Sequence, residues 1–292
     1  MKALLIINPK AGRRKVSPIP DIESAFKDNP DFDLEIHPTT GPGDATVAAR
    51  KAAEEGYELV VAAGGDGSIF EASNGLVGSE TALGVIPVGT ENVLAREMGV
   101  PLDPKQACLH LLNRKPRQID TGKLADQHFV CFAGIGFDAH VAHCLPPERK
   151  KRFGALAYFL TSAEKLGGYR KRPNLARIHL DGKLIETEFL VLVVSNIRSY
   201  GGGLIPAPEA RVDDGLLDVC IFPKANYIEI MRQMVAARSG KHLGVPGIQY
   251  FQASEIRIET EPNEQIQLDG DAWPGTSPFK IEAVPKSLWV RF

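Results

Sequence analysis

The sequence predicts an α/β N-terminal domain on a doubly wound, mostly parallel sheet, followed by a mainly antiparallel β-sandwich. Two observations set the first half. Short apolar, β-branched runs alternate with helical patterns, and three of those runs end in turns of glycine and polar residues. A third observation sets the second half: from about Arg117 the alternation stops, and hairpin signals such as Asp181-Gly182 separate the apolar runs. The boundary is expected near residue 123, giving domains at 1–123 and 124–279, with 280–292 returning to complete the first.

Taken in order, Lys2 to Ile7 reads as a strand closed by Asn8-Pro9-Lys10-Ala11-Gly12. Leu34 to His37 is a second strand, after which Thr39-Thr40-Gly-Pro-Gly leads into an alanine-rich helix with Asp44 as its expected N-cap. Leu59 to Ala63 is a short buried strand followed by Gly64-Gly65-Asp66-Gly67-Ser68-Ile69-Phe70, with a helix from Ser68 to Leu76. Ala82 to Val88 is a fourth strand, ending in Gly89-Thr90-Glu91-Asn92 before helical patterns over Val93–Met98 and Asp103–Asn113. Further strands are expected at Gln118–Leu124, Phe129–Phe137, Leu175–Leu180, Leu184–Ile197, Leu216–Phe222, Gln249–Glu259 and Gln265–Asp269, with one helix at Asn226–Arg238.

Ligands of such sheets bind beyond the carboxyl ends of the strands, where all three glycine turns fall. Gly64, Gly65 and Gly67 let the backbone turn sharply and leave N–H groups at a helix start, which suits a phosphate. Asp66 would repel that phosphate, so it implies a cation such as Mg²⁺ or a proton transfer. No lysine follows Gly67, which excludes a Walker A loop, and Phe70 stands where a dinucleotide turn needs its third small residue. Gly134-Ile-Gly136-Phe-Asp-Ala139 matches that turn formally but lacks the acidic strand end about 20 residues on.

Bulk properties exclude more than they assign. A net charge of −2 over 292 residues gives no global attraction to nucleic acid or membrane. Cys108, Cys131, Cys144 and Cys220 lack CxxC spacing, as in a reduced cytoplasmic protein. His140, His143, Cys144 and Cys131 fit no common zinc spacing. The basic run Arg149 to Arg152, an amphipathic pattern to Leu166 and Arg170-Lys-Arg172 suit either an anionic membrane surface or a solvated helix. Asp213-Asp214-Gly215 and Asp269-Gly270-Asp271 are acidic turns able to hold a divalent cation or a reacting hydroxyl, although turn chemistry alone also explains them.

Together, Asn8 to Gly12, Gly64 to Ser68, Pro87-Val-Gly-Thr-Glu-Asn92, Ser195-Asn196 with Gly201 to Gly203, Asp213 to Asp218 and Leu268 to Asp271 resemble the diacylglycerol kinase catalytic-domain family. That family also takes in sphingosine kinases and related bacterial lipid kinases. The resemblance implies two domains with ATP and Mg²⁺ between them, and a lipid hydroxyl as acceptor. It places the nucleotide on Asn8, Pro9, Lys10, Ala11, Gly12, Thr39 (or Thr40), Gly64, Gly65, Asp66, Gly67, Ser68, Ile69, Phe70, Gly89, Thr90 and Asn92. It implies a structural Mg²⁺ on the Arg211 and Leu216 carbonyls and the Asp214 carboxylate. Asp271 matches the proton acceptor, with Asp269 beside it and Asp66 organising metal and phosphate. Two residues depart from the pattern: Ser68 replaces the usual Thr, and Asp271 replaces the usual Glu, drawing the carboxylate back by about 1.5 Å.

The expected function is therefore an ATP-dependent lipid kinase, most directly one making phosphatidic acid from diacylglycerol in the cytoplasm, peripheral at the inner membrane face. A soluble-alcohol kinase is the alternative that GGDG alone allows, and the shortened Asp271 leaves room for a non-catalytic nucleotide- and lipid-binding protein. Neither the particular lipid nor an oligomeric state is encoded in these patterns, since acyl pockets use ordinary apolar residues.

Overall fold

The computed structural model describes residues 1–9, 17–146, 148–149, 155–172 and 174–292. It divides into two units, Met1–Thr121 with Pro285–Phe292, and Gly122–Val284.

The first unit is a parallel sheet in the order β2 (Asp33–Pro38), β1 (Lys2–Ile7), β3 (Leu59–Gly64) and β4 (Ala82–Pro87). Every residue of β3 and β4 is buried, as expected of parallel strands covered on both faces. The helices are α1 (Ile19–Lys27), α2 (Asp44–Glu54), α3 (Asp66–Leu76), α4 (Val93–Glu97) and α5 (Pro104–Leu112). Helix α2 lies so close on α3 that a Cβ on Gly75 would sit 2.5 Å from the Thr46 carbonyl. The C-terminal residues return to this unit. Arg291 donates to the Leu111 and Leu112 carbonyls at 3.0 and 3.1 Å, and the Lys286 N–H donates to Asp120 at 2.7 Å.

The structure adds one helix to the expected elements and shifts one cap. Helix α1 carries little helical signal because Pro18 and Pro20 crowd its start, yet proline is tolerated in a first turn. Asp44 is not the cap of α2 but its first residue, because left-handed Gly43 takes the cap position. The Asp44 carboxylate turns back instead, accepting the Thr40 N–H at 2.7 Å and hydroxyl at 3.0 Å. The Thr40 N–H bond leads the causes that hold it below the usual carboxylate range, followed among the lowering ones by the His37 ring.

The second unit is antiparallel. One sheet runs β12 (Gln249–Ala253), β11 (Leu217–Phe222), β10 (Val191–Ser195), β7 (Phe132–Gly136), β14 (Gln265–Leu268) and β15 (Asp271–Thr276). A second ladder runs β9 (Lys183–Glu188), β8 (Leu175–Leu180), β13 (Glu255–Glu261) and the first residues of β16 (Phe279–Val290). β5 (Arg117–Leu124) and β6 (Gln127–Phe129) form a hairpin. Helices α6 (Phe137–Cys144), α7 (Ala155–Tyr169) and α8 (Tyr227–Arg238) complete the unit.

Three expected long strands are each divided. Leu184–Ile197 breaks at Phe189 and Leu190, which pair elsewhere and carry the chain from one sheet to the other. Gln249–Glu259 breaks at Ser254, where the Asp181 carboxylate accepts the Ser254 and Glu255 N–H groups. Phe129–Phe137 divides into β6 and β7, and Phe137 opens α6 after Gly136 at φ 87°. An apolar run records burial, and burial continues when a chain changes sheets.

Candidate active site

In the first unit β3 and β4 end side by side, so their two glycine turns meet. The Val88 and Gly89 N–H groups donate to the Gly64 carbonyl at 2.9 and 3.2 Å. A Cβ on Gly89 would lie 2.5 Å from the Gly65 Cα, so glycine is required here for space. Asn92, left-handed at φ 52°, closes the second turn by accepting the Gly89 N–H at 3.0 Å and donating to its carbonyl at 2.9 Å. Asp66 then joins the turns. Its two oxygens accept the Asn92 and Val93 N–H groups at 3.0 and 2.6 Å, capping α4 from another element. Burial pushes the Asp66 carboxyl up, and these two amides pull it back. Helix α3 has no side-chain cap at Gly65, leaving backbone donors at its N-terminus for an anion.

Around this frame, the Asn8 N–H donates to the Ala63 carbonyl at 3.1 Å and the Thr39 N–H to that of Ile7 at 2.8 Å. Both residues therefore stand at the carboxyl end of the same sheet, with Pro9 beyond Asn8. Thr40 is committed to Asp44. Lys10, Ala11 and Gly12 lie outside the described residues. Ser68 and Ile69 lie in the first turn of α3 and Phe70 just after it, and Thr90 is exposed between Gly89 and Asn92.

In the second unit, Asp269 and Gly270 form a two-residue hairpin turn with φ 47° and 88°, between paired Leu268 and Asp271. Two positive φ values are what a type I′ turn demands, which is why Asp-Gly marks hairpins. The Asp269 carboxylate is buried and accepts three consecutive backbone N–H groups, from Val130, Cys131 and Phe132, at 2.9, 2.9 and 2.8 Å. Asn196 holds the same segment from its carbonyls, donating from its N–H to Cys131 at 2.8 Å and from Nδ2 to Val130 at 2.9 Å. Asp269 is thus engaged in bracing, while Asp271 leads out of the turn as the first residue of β15, half-buried.

A cluster that the sequence reading missed supports this turn. Gln267 Oε1 accepts the Gly270 N–H at 2.6 Å, while its Nε2 donates to Asp138 Oδ2 at 2.9 Å and Tyr200 Oη at 3.1 Å. Tyr158 and Tyr200 both donate to the Asp138 carboxylate. Burial drives the Asp138 carboxyl up, and burial beside it holds both phenols well above their ordinary range. The available signal was a polar Gln267 inside an apolar strand and an Asp138 inside Gly134–Ala139.

These turns occupy the ends of two domains that known proteins share. Residues 2–124 match the diacylglycerol kinase catalytic domain, and 132–292 match the YegS C-terminal NAD kinase beta sandwich-like domain. A diacylglycerol kinase of Bacillus subtilis is 35% identical over 274 residues, covering 92% of this chain and 89% of its own. The chain belongs to the diacylglycerol kinase family. A family member from Staphylococcus saprophyticus is 29% identical over 273 residues, covering 92% of this chain and 88% of its own. A crystal structure of a diacylglycerol kinase from Bacillus anthracis superposes with TM-score 0.77 at 29% identity, covering 100% of this chain and 96% of that one. Membership of this family makes the chain a kinase, and it implies a divalent cation.

The loop between Arg211 and Leu216 fits a cation chemically. Asp214 accepts the Leu216 N–H at 3.1 Å, and Arg211 pairs with Asp213 at 3.7 Å. Next in the chain, Asp218 accepts from Tyr250 and from Gln252 on Oδ1, while its buried Oδ2 has no hydrogen-bond partner. Burial, with the charges of Asp214 and Glu209, pushes its carboxyl up to about 6. An unsatisfied buried carboxylate oxygen beside further acids suits a hard divalent ion. Among the described residues no three His, Cys, Asp or Glu side chains converge, so carbonyl oxygens must complete such a site.

Proposed function

We propose that this family member transfers the γ-phosphate of ATP to the hydroxyl of a membrane lipid, diacylglycerol first among candidates, with the first unit binding nucleotide and the second binding lipid. The observation that carries the reading is the Leu268–Asp271 turn. It fixes one carboxylate, Asp269, in backbone bonds and sends the next, Asp271, out on a rigid strand. Phosphoryl transfer asks mainly for positioning and charge neutralisation. The glycine turns and the open start of α3 hold the phosphates, with Asn8, Thr39 and Thr90 around them. Asp66 keeps the two turns locked together, and each of its oxygens retains a second lone pair toward metal or water. Asp271 accepts the proton of the lipid hydroxyl as its oxygen attacks the γ-phosphorus and ADP leaves. A Mg²⁺ in the second unit would be held by the Arg211 and Leu216 carbonyls and the Asp214 carboxylate, and would supply positive charge to that loop.

The test is incubation with γ-labelled ATP, Mg²⁺ and a total lipid extract dispersed in detergent. Label in phosphatidic acid is expected. Label appearing only in a water-soluble alcohol favours the soluble-kinase reading, and ATP binding without any labelled product favours a non-catalytic protein.

A further inference from the structure

Helix α8 is capped by a reciprocal pair, Asn226 with Glu229, and buries only Ile230, Gln233 and Ala237. These recur at i, i+3 and i+7, one side of a helix. The opposite side is also apolar. Ile228 is 82% exposed, Val235 65%, Met231 58%, Tyr227 51% and Met234 38%. At about 100° per residue, Ile228, Met231 and Val235 fall within about 60° of one another and point away from the buried side. Five of the twelve exposed large apolar residues among those described thus sit within nine positions of one helix. Scattered exposed apolar residues need no explanation, but a contiguous stripe marks a surface that meets something.

The charges beside the stripe identify its partner. By the same geometry Arg232 and Arg238 flank it on either side. At its N-terminal end the Arg170 guanidinium lies 4.6 Å above the Tyr227 ring, and the Lys224 ammonium donates to the Arg172 carbonyl. From Lys224 to Lys241 the segment carries four cations against one acid, Glu229, whose carboxylate accepts the Asn226 N–H at 3.2 Å. Basic residues along an exposed apolar stripe repel a second copy across a two-fold axis and complement anionic phospholipid headgroups. With 12 residues α8 is too short to span a bilayer. It suits lying in the interface, its apolar side sunk to about 5–10 Å.

We propose that α8 is the surface by which this chain docks on an anionic bilayer. This deepens the lipid-kinase reading and rests on it for the need to meet a membrane. It moves the docking surface away from the basic run near residue 150. There Arg149 is already paired with Glu164 at 2.8 Å, and Lys150, Lys151 and Arg152 lie outside the described residues.

Sedimentation of the full chain with phosphatidylglycerol–phosphatidylcholine vesicles, without ATP or diacylglycerol, tests the proposal. Binding should exceed that to pure phosphatidylcholine, and Ile228→Asp should weaken it by about 10-fold or more. Arg232→Gln with Arg238→Gln should weaken it severalfold and flatten its salt dependence. Val235→Trp keeps the stripe apolar and should shift tryptophan emission to the blue when phosphatidylglycerol vesicles are added. Unchanged vesicle binding by Ile228→Asp, or no shift from Val235→Trp, overturns the proposal. So does an Ile228→Asp variant that turns a dimer into a monomer while still binding vesicles, since the stripe then covers a second copy. Phosphorylation of detergent-dispersed diacylglycerol keeps the two readings apart. Wild type and Ile228→Asp should turn over equally there, whereas vesicle binding without any detergent turnover removes the kinase reading and leaves the docking surface standing.

Discussion

In the first unit, Asp66 spans two glycine turns by accepting the Asn92 and Val93 N–H groups. In the second, Asp269 spans a hairpin turn and a distant strand by accepting three N–H groups from Val130 to Phe132. Both are Asp-Gly pairs at strand ends, and both use their carboxylates first to hold backbone. The difference lies in what remains for chemistry. The first turn has no other acid in its Gly64–Ser68 loop, so any cation there must share Asp66 with the amides. The second has Asp271, so bracing and the proposed proton transfer fall to separate residues. Separate residues can be separated by mutation.

The sharpest break in the comparison is therefore the Asp269 and Asp271 pair. Asp269→Asn keeps a side chain that tolerates the left-handed turn but presents an amide donor to backbone donors. It should lose about 2–4 kcal/mol of stability in urea unfolding with little change in m. Asp271→Asn should cost less stability than Asp269→Asn, and lipid phosphorylation should fall about 100-fold or more. The opposite pattern, a stable Asp269→Asn and an unfolded or fully active Asp271→Asn, sinks the division of labour.

Glycine sharpens the same contrast with a smaller effect. Gly89 is needed for room, since its Cβ would press on Gly65 and on Asn92 Oδ1 at 2.9 Å. Gly270 has nothing within 4 Å and is needed only for handedness, at φ 88°. Gly89→Ala should cost about 1–3 kcal/mol and weaken nucleotide binding. Gly270→Asn should cost less than about 1 kcal/mol, because asparagine visits the left-handed region. Thermal melts with and without ATP check both. Equal losses at the two positions refute the distinction.

Much of this was legible because turn chemistry is local. Gly64-Gly65-Asp66-Gly67 and Asp269-Gly270 announce their turns through residues that few other conformations require, and alternation exposed the parallel sheet. The missed features are non-local. Asp138, Tyr158, Tyr200 and Gln267 are far apart in the chain and converge only through the antiparallel sheet and α7. The apolar face of α8 reads like core in one dimension, and only accessibility tells its two sides apart. Asp44 shows the limit of local rules, since a good capping residue yielded the cap to a neighbouring glycine.

The buried cluster gives the mildest test, through pH. Asp138 is held above the unfolded aspartate value of 3.8 by burial, against hydrogen bonds from Tyr158, Tyr200 and Gln267. The native state thus keeps a proton that the unfolded chain has released once pH passes about 4. Its contribution is fully present below that point and is lost as pH rises toward the folded pKa. Asp138→Asn cannot titrate, so the melting temperature of wild type relative to the variant should decline steadily as pH rises from about 4. Gln267 links this carboxyl to the Gly270 N–H behind Asp271, so the same pH range should alter the mobility of the turn. Parallel melting curves for the two proteins across that range would show that Asp138 is ionised throughout, its three donors outweighing its burial.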